Sequence, residues 1–273
     1  MLYLICTPIG NLNDFSIRSI NTLNKVDKIF AEDTRVAATL LRHYDVRKKT
    51  IPFHDHNEQE LGIQIVRAIK NGETTAILSD AGAPVISDPG YPLIQRCIKE
   101  NIPFTVIPGP SAVINAVILS GLPSDKFLFN GFLPKQPEAK RKIATRLKTN
   151  DTTNIFFESA NRIKKTIEIF SEVLESQTKI AICREMTKEY ESIYRGTLSE
   201  IHALIQANEI KLLGEFVLLT HSSSSKSYDL DLEEKFCRPF LDYLSPADAS
   251  KLIASLTNFS KQKIYKFLLE ISK

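Results

Sequence analysis

The sequence lacks the glycine-rich phosphate loops that mark the commonest nucleotide folds. Its ten glycines never fall in a G-x-G-x-x-G spacing, which disfavours a nicotinamide Rossmann fold. No G-x-x-x-x-G-K-[ST] occurs, so hydrolysis through a P-loop is not expected, and no G-x-S-x-G elbow marks a hydrolase. Four cysteines, Cys6, Cys97, Cys183 and Cys237, lie far apart, so there is neither a zinc knuckle nor a redox C-x-x-C. They suit a reduced, cytoplasmic protein. No apolar run approaches the roughly 18 residues of a membrane span, and the first residues lack the basic-then-apolar pattern of a leader.

What is present is an ordinary globular composition, 43% hydrophobic and 25% charged, with a formal net charge of +3. That mild excess is compatible with a nucleic-acid partner without arguing for one. Three short apolar runs break into Pro/Gly turns: Leu2 to Cys6 into Thr7-Pro8-Ile9-Gly10-Asn11, Thr75 to Leu78 into Ser79-Asp80-Ala81-Gly82-Ala83-Pro84, and Phe104 to Ile107 into Pro108-Gly109-Pro110-Ser111-Ala112. Each reads as a buried strand ending in a tight loop. Open α/β sheets bind ligands outside the carboxyl ends of their strands, so three such loops point to one small-molecule pocket.

The first 120 or so residues alternate strand and helix, which implies a mostly parallel sheet covered on both faces. Ile17, Ile20, Leu23 and Val26 give an amphipathic helix with Asp14 or Ser16 as its cap. A strand follows at Lys28 to Glu32, and Asn71-Gly72 stops a later helix. A second α/β region follows Leu122-Pro123, with strands expected at Phe127–Asn130, Asn154–Glu158, Lys179–Cys183, Tyr190–Tyr194 and Glu215–Thr220. Thr197 and Glu200 form a capping box in pattern. A serine-rich linker at His221 to Ser227 leads to an all-helical tail with a basic last helix and Ser260 as its cap, similar to a helix-turn-helix module or, equally, a docking tail. The expected domains are 1–118, 119–222 and 228–273.

Polar clusters sit on the expected strand-end loops. Ala31-Glu32-Asp33-Thr34-Arg35 is one, suited to orienting a polar substrate or to an internal ion pair. His54-Asp55-His56-Asn57-Glu58 is another; a metal pair there lacks a third ligand, and helix capping by Asp55 or Asn57 explains it without a metal. Between Lys135 and Lys148, six cations including Lys140 and Arg141 stand against the single acid Glu138, a solvated face or a phosphate-binding one.

Taken in order, Pro8 to Leu12, Ala31 to Arg35, His54 to Glu58, Ser79 to Gly82, Ser87 to Tyr91, Pro108 to Ala112, Gly121 to Ser124 and Gly131 to Pro134 resemble the ribosomal-RNA ribose methyltransferases of the tetrapyrrole methylase superfamily. The resemblance covers essentially the whole chain. It implies two α/β domains with S-adenosylmethionine in the cleft between them, a small helical tail, a homodimer, and 2′-O-methylation of a cytidine in the 16S RNA of the small ribosomal subunit. By position, the cofactor residues would be Pro8, Asp80, Gly82, Ala83, Ser111, Ala112, Phe157 and Cys183. The family often carries Thr where this chain has Ala83. Asp33 or His54 is expected as the base that takes the ribose proton, with Arg35, Asn57 and Lys188 orienting RNA and Lys140 and Arg141 gripping phosphates. A tetrapyrrole, small-molecule or protein methylase of the same superfamily, or a non-enzymatic RNA-binding assembly factor, are the competing readings.

Overall fold

A computed structural model describes residues 1–148, 151–222, 234–257 and 259–271. The chain divides into two compact units, Met1–Ser223 and Ser224–Lys273. The first unit holds two five-stranded sheets.

The first sheet is built from β1 (Leu2–Ile5), β2 (Lys28–Ala31), β3 (Thr50–Pro52), β4 (Thr75–Leu78) and β5 (Phe104–Ile107), in the order β3-β2-β4-β1-β5 with every pair parallel. Helices α1 (Ile17–Lys25) and α2 (Thr34–His43) cover one face, and α3 (Glu58–Lys70) and α4 (Tyr91–Lys99) the other. The alternation of strand side chains decides which residue meets which helix pair. On β4, Ala76 and Leu78 join Leu23, Leu40 and Leu41 of α1 and α2, whereas Ile77 joins Ile65 and Leu93 of α3 and α4. Both faces are thus buried, which is why these strands read as unbroken apolar runs. Ser16 caps α1 through the Ser19 N–H, so of the two expected caps it is the serine that acts. Strand β3 supplies the strand expected before the His54 cluster. It is three residues long and ends in Pro52, tolerable because it lies at the sheet edge.

After α5 (Ala112–Ser120), the second sheet combines β6 (Phe127–Phe132), β7 (Thr153–Ser159), β8 (Lys179–Arg184), β9 (Ser192–Thr197) and β10 (Glu215–His221), in the order β6-β7-β10-β8-β9. Only β6 and β7 pair in parallel; the other pairs are antiparallel. Helices α6 (Pro137–Leu147), α7 (Ala160–Val173) and α8 (Leu198–Gln206) cover one face. The predicted capping box of Thr197 and Glu200 starts α8. The opposite face packs on α5: Val113, Ala116 and Val117 meet Ile155, Ala181, Cys183, Val217 and Leu219. The domain division expected between 118 and 119 therefore falls inside a helix that follows the first sheet in sequence and packs on the second. β9 begins at Ser192, two residues after the expected start, because residues 185–190 form a turn closed by the guanidinium of Arg184, the last residue of β8, donating to the Tyr190 carbonyl.

In the second unit, α9 (Glu234–Leu241), α10 (Pro246–Leu256) and α11 (Lys261–Ile271) enclose Cys237, Ala249, Ile253, Ile264 and Leu268. Ser260 caps α11, accepting from the Lys263 N–H. Most of the serine-rich linker, 223–227, lies outside the described residues. Among the described residues no helix is long and apolar enough to cross a membrane.

Candidate active site

The predicted loops are tied together before any ligand is considered. Thr7 and Gly82 exchange two backbone hydrogen bonds, of 2.8 and 3.1 Å, which pins the β1 loop to the β4 loop. The Ser79 hydroxyl donates to the Gly82 carbonyl, and the Thr7 hydroxyl to the Ser79 carbonyl. Gly82 has φ +84, a left-handed conformation that glycine adopts without a Cβ penalty. Gly109, after β5, lies so close to Cys6 that an added Cβ would come within 2.9 Å of the Cys6 Cβ.

Beside these loops lies a cavity of about 340 Å³, at the low end of the roughly 300–1,000 Å³ of small-molecule sites. The β4–α4 loop contributes Gly82, Ala83, Ile86, Ser87 and Asp88; the start of α5 contributes Ser111, Ala112 and Val113. From the second sheet come Phe132, Phe157 to Ser159, Met186 and Gly214 to Val217. Strand-end loops of both sheets meet in it.

Of the cofactor residues expected from sequence, Gly82, Ala83, Ser111, Ala112 and Phe157 line the cavity. Ser111 caps α5 through the Ile114 N–H, so the free N–H groups and positive end of that helix border the cavity. Pro8, Asp80 and Cys183 are absent from the lining. Asp80 instead ties two loops, its Oδ1 accepting the Asp33 N–H at 2.9 Å. Cys183 is fully buried behind α5, 3.9 Å from the Ala116 carbonyl, and burial pushes its thiol up to about 12.

The residues expected as base also lie off the lining. Asp33 caps α2 and is held by the Arg35 guanidinium at 2.6 and 3.0 Å. Those hydrogen bonds hold its carboxyl far below the ordinary range, which leaves a poor proton acceptor. His54 donates its backbone N–H to Asn57 Oδ1, and its Nε2 lies 3.4 Å from Asn57 Nδ2. Asn57 thus ties the turn together through His54 and the Pro52 carbonyl. The His54 and His56 rings stand 5.8 Å apart edge to face, and no group of three or more candidate metal ligands occurs among the described residues.

Arg35 remains exposed beside Asp33. Lys188 is shared between Glu185 and Glu215, 2.9 Å from each. Lys140 corrects the sequence reading. It is 2% exposed, with its ammonium 2.7 Å from Glu158 and bonded to Thr166, so it cannot grip a phosphate. Helical phase turns it inward between α6 and α7, whereas Lys135, Lys142, Arg146 and Lys148 face solvent. Arg141 is partly exposed and paired with Glu138 and Glu172.

The sequence reading did not assign Asp88, Glu158, Met186 or Glu215 to the pocket, although all but Met186 stand beside a strand-end glycine, proline or serine. The lining carries three carboxylates and no lysine or arginine. Glu158 is neutralised by Lys140 and Arg162, and Glu215 by Lys188. Apolar walls from Phe157, Met186 and Val217 and a helix N-terminus suit a ligand with an aromatic base and a carboxylate.

Two α/β sheets with a cavity at their joined strand-end loops define an α/β protein with a small-molecule site. The family model of tetrapyrrole (corrin/porphyrin) methylases matches residues 1–202, and the chain belongs to that family. It is a methyltransferase that uses S-adenosylmethionine. Among curated relatives, "Ribosomal RNA small subunit methyltransferase I" of Halalkalibacterium halodurans is 44% identical over 225 residues, covering 82% of this chain and 77% of that protein. The protein of the same name from Haemophilus influenzae is 36% identical over 270 residues, covering 98% and 95%. Among solved structures, diphthine synthase aligns with a TM-score of 0.60 at 11% identity, covering 81% of this chain and 90% of that one. The uroporphyrin-III-C-methyltransferase of Thermus thermophilus aligns at 0.55 and 16%, covering 81% and 94%. At such identities these two establish the fold alone.

Proposed function

We propose that this chain methylates the ribose 2′-hydroxyl of a cytidine in the 16S RNA of the small ribosomal subunit, acting as a cytoplasmic homodimer. The observation that carries the reading is the likeness to named ribosomal RNA methyltransferases over 98% of the chain, helical tail included. A corrin methylase would have no evident use for that tail or for the exposed cations around α6.

In this reading Gly82, Ala83, Ser111, Ala112 and Phe157 hold S-adenosylmethionine, the α5 N-terminus receiving its carboxylate. When bound, it supplies a methyl group already activated by the sulfonium charge. The protein's share is to place the ribose oxygen in line and to keep water out, which can contribute several kcal/mol of barrier reduction. In this reading Arg35 at the start of α2, Asn57 just before α3 and Lys188 in the turn after β8 orient RNA, while the exposed Lys135, Lys142, Arg146 and Lys148 meet phosphates. Exposed Ile114 and Ile118 on α5 and Phe127 and Leu128 on edge strand β6 offer apolar surface to a second copy.

The deciding experiment is transfer of radiolabelled methyl to small subunits from a strain lacking the enzyme, followed by mapping of the modified nucleotide. A ribose-methylated cytidine is the expected product. Label on a base, or transfer only to a small tetrapyrrole, would refute the reading; binding of S-adenosylhomocysteine without any transfer would favour an assembly factor.

A further inference from the structure

We propose that Asp88 is the general base of this site, its carboxyl group accepting the proton of the ribose 2′-hydroxyl as that oxygen takes the methyl group. The inference rests on the ribose-methylation reading above and adds the proton acceptor which that reading lacks.

Three structural observations converge on this side chain. Asp88 lines the cavity itself, which neither Asp33 nor His54 does. Its Oδ2 is buried and has no hydrogen-bond partner, whereas the other two carboxylates of the lining are paired with Lys140, Arg162 or Lys188. A buried acceptor left open is costly unless something else fills it, and a hydroxyl that donates its proton is such a partner. The backbone around it is strained: Val85 has φ 74 and Ser87 φ 66, and a β-branched residue at positive φ is a true outlier. Strain of this kind persists where neighbouring structure enforces it, typically at functional sites. Here the enforcement includes Gly90, at φ +125, whose N–H donates to Glu58 Oε2 of α3 at 2.9 Å.

The surroundings tune the group for proton transfer. Glu32 follows β2, Asp80 follows β4 and Asp55 precedes α3; all three bear on Asp88, and Glu32 shares a narrow crevice with it. His54 stands by Glu32, and Glu58 holds the loop at Gly90. Burial first, then repulsion from Glu32, Asp80 and Asp55, pushes the Asp88 carboxyl up to about 7. A base near the working pH combines a usable ionised fraction with real proton affinity. In the step, the 2′-O–H bond breaks toward Asp88, the oxygen forms the new bond to carbon, and the electron pair of the broken carbon–sulfur bond stays on sulfur as a neutral thioether. Asp88 then releases its proton to solvent.

Wild type, Asp88→Asn and Asp88→Glu should be compared in single-turnover methylation of small subunits across pH, with S-adenosylhomocysteine calorimetry and carboxyl NMR titration of the cofactor-free proteins alongside. The wild-type rate should rise with pH about a midpoint near 7, and one carboxyl resonance, missing in Asp88→Asn, should titrate there. Asp88→Asn should lose about 10²–10⁴-fold in rate together with its pH dependence, and Asp88→Glu should recover part of the rate. Calorimetric affinity should stay unchanged in both variants. A wild-type rate in Asp88→Asn overturns the proposal, as does a loss of affinity that accounts for the loss of rate, which would make Asp88 a cofactor contact. If the wild type transfers no methyl to ribosomal RNA while binding S-adenosylhomocysteine, the ribose reading itself has failed and the base assignment falls with it.

Discussion

At the scale of single residues, the acidic crevice carries a cost that pH can expose. The Asp88 carboxyl is raised from 3.8 to about 7 in the fold, chiefly by burial, and Glu32 is raised for the same reason. Between those two values the folded chain binds more protons than the unfolded one, so stability falls as pH rises through that window. Asp88→Asn removes the ionisation. It should melt higher than wild type at pH 8 and no higher near pH 4, and each 1 kcal/mol gained appears as roughly 2–4 °C in a chain of this size. Thermal melts at both pH values check this; an equal difference at both would contradict it. Asp33 is the opposite case, a carboxylate already satisfied by Arg35, so Asp33→Asn should slow methylation much less than Asp88→Asn in the same assay. The sequence displayed Asp33, Asp80 and Asp88 alike on strand-end loops. Which one is paired, which ties two loops and which is left open depends on partners up to 47 residues away, and no local pattern encodes that.

At the scale of elements, the loops were readable because proline and glycine report backbone geometry directly; Gly82, Ala83, Ser111 and Ala112 stand in them, whereas Phe157 lies inside β7 and was reachable only through the family resemblance. Burial of a charged side chain was not readable. The cation-rich segment from Lys135 to Lys148 looks uniform in sequence, yet helical phase sends Lys140 inward to join α6, β7 and α7 through Glu158 and Thr166. Lys140→Ala would leave Glu158 with Arg162 as its remaining cation, beside the Thr166 hydroxyl and the Ser159 N–H. Removing one partner of a buried pair typically costs 3–5 kcal/mol, and about 3 kcal/mol is expected here by urea denaturation because Arg162 remains. Gly214 gives a sharper local test. It has φ +89, and a Cβ there would fall 2.4 Å from the Glu185 carboxylate, which pairs with Lys188 and accepts the Glu215 N–H. Gly214→Ala should therefore weaken S-adenosylhomocysteine binding by calorimetry, since the displaced strand end forms part of the cavity wall.

At the scale of the whole molecule, the small net charge of +3 says little, and its distribution says more. Exposed Lys142 and Arg146 share α6 with the buried Lys140. If the outer cations meet RNA phosphates, removing each such cation should flatten the dependence of log affinity on log salt by roughly 0.7. Lys142→Glu and Arg146→Glu should lower that slope, measured by fluorescence anisotropy with small-subunit RNA, and Lys140→Ala should leave it unchanged. A slope that moves with Lys140 and not with its exposed neighbours would reverse the assignment. The two-sheet architecture was legible from alternating strands and helices, but the allegiance of α5 was not. That helix is apolar on nearly every side, so its pattern named no partner, and only its packing on β8 and β10 reveals which sheet it covers.

The four cysteines, all unpaired and buried, sample three parts of the chain: Cys6 and Cys97 around the first sheet, Cys183 in the second, and Cys237 in the helical tail. Burial also suppresses their ionisation. A pulse of alkylating reagent during slow denaturation, read by peptide mass spectrometry, would therefore time-stamp the opening of those three parts in the native sequence, without engineered probes.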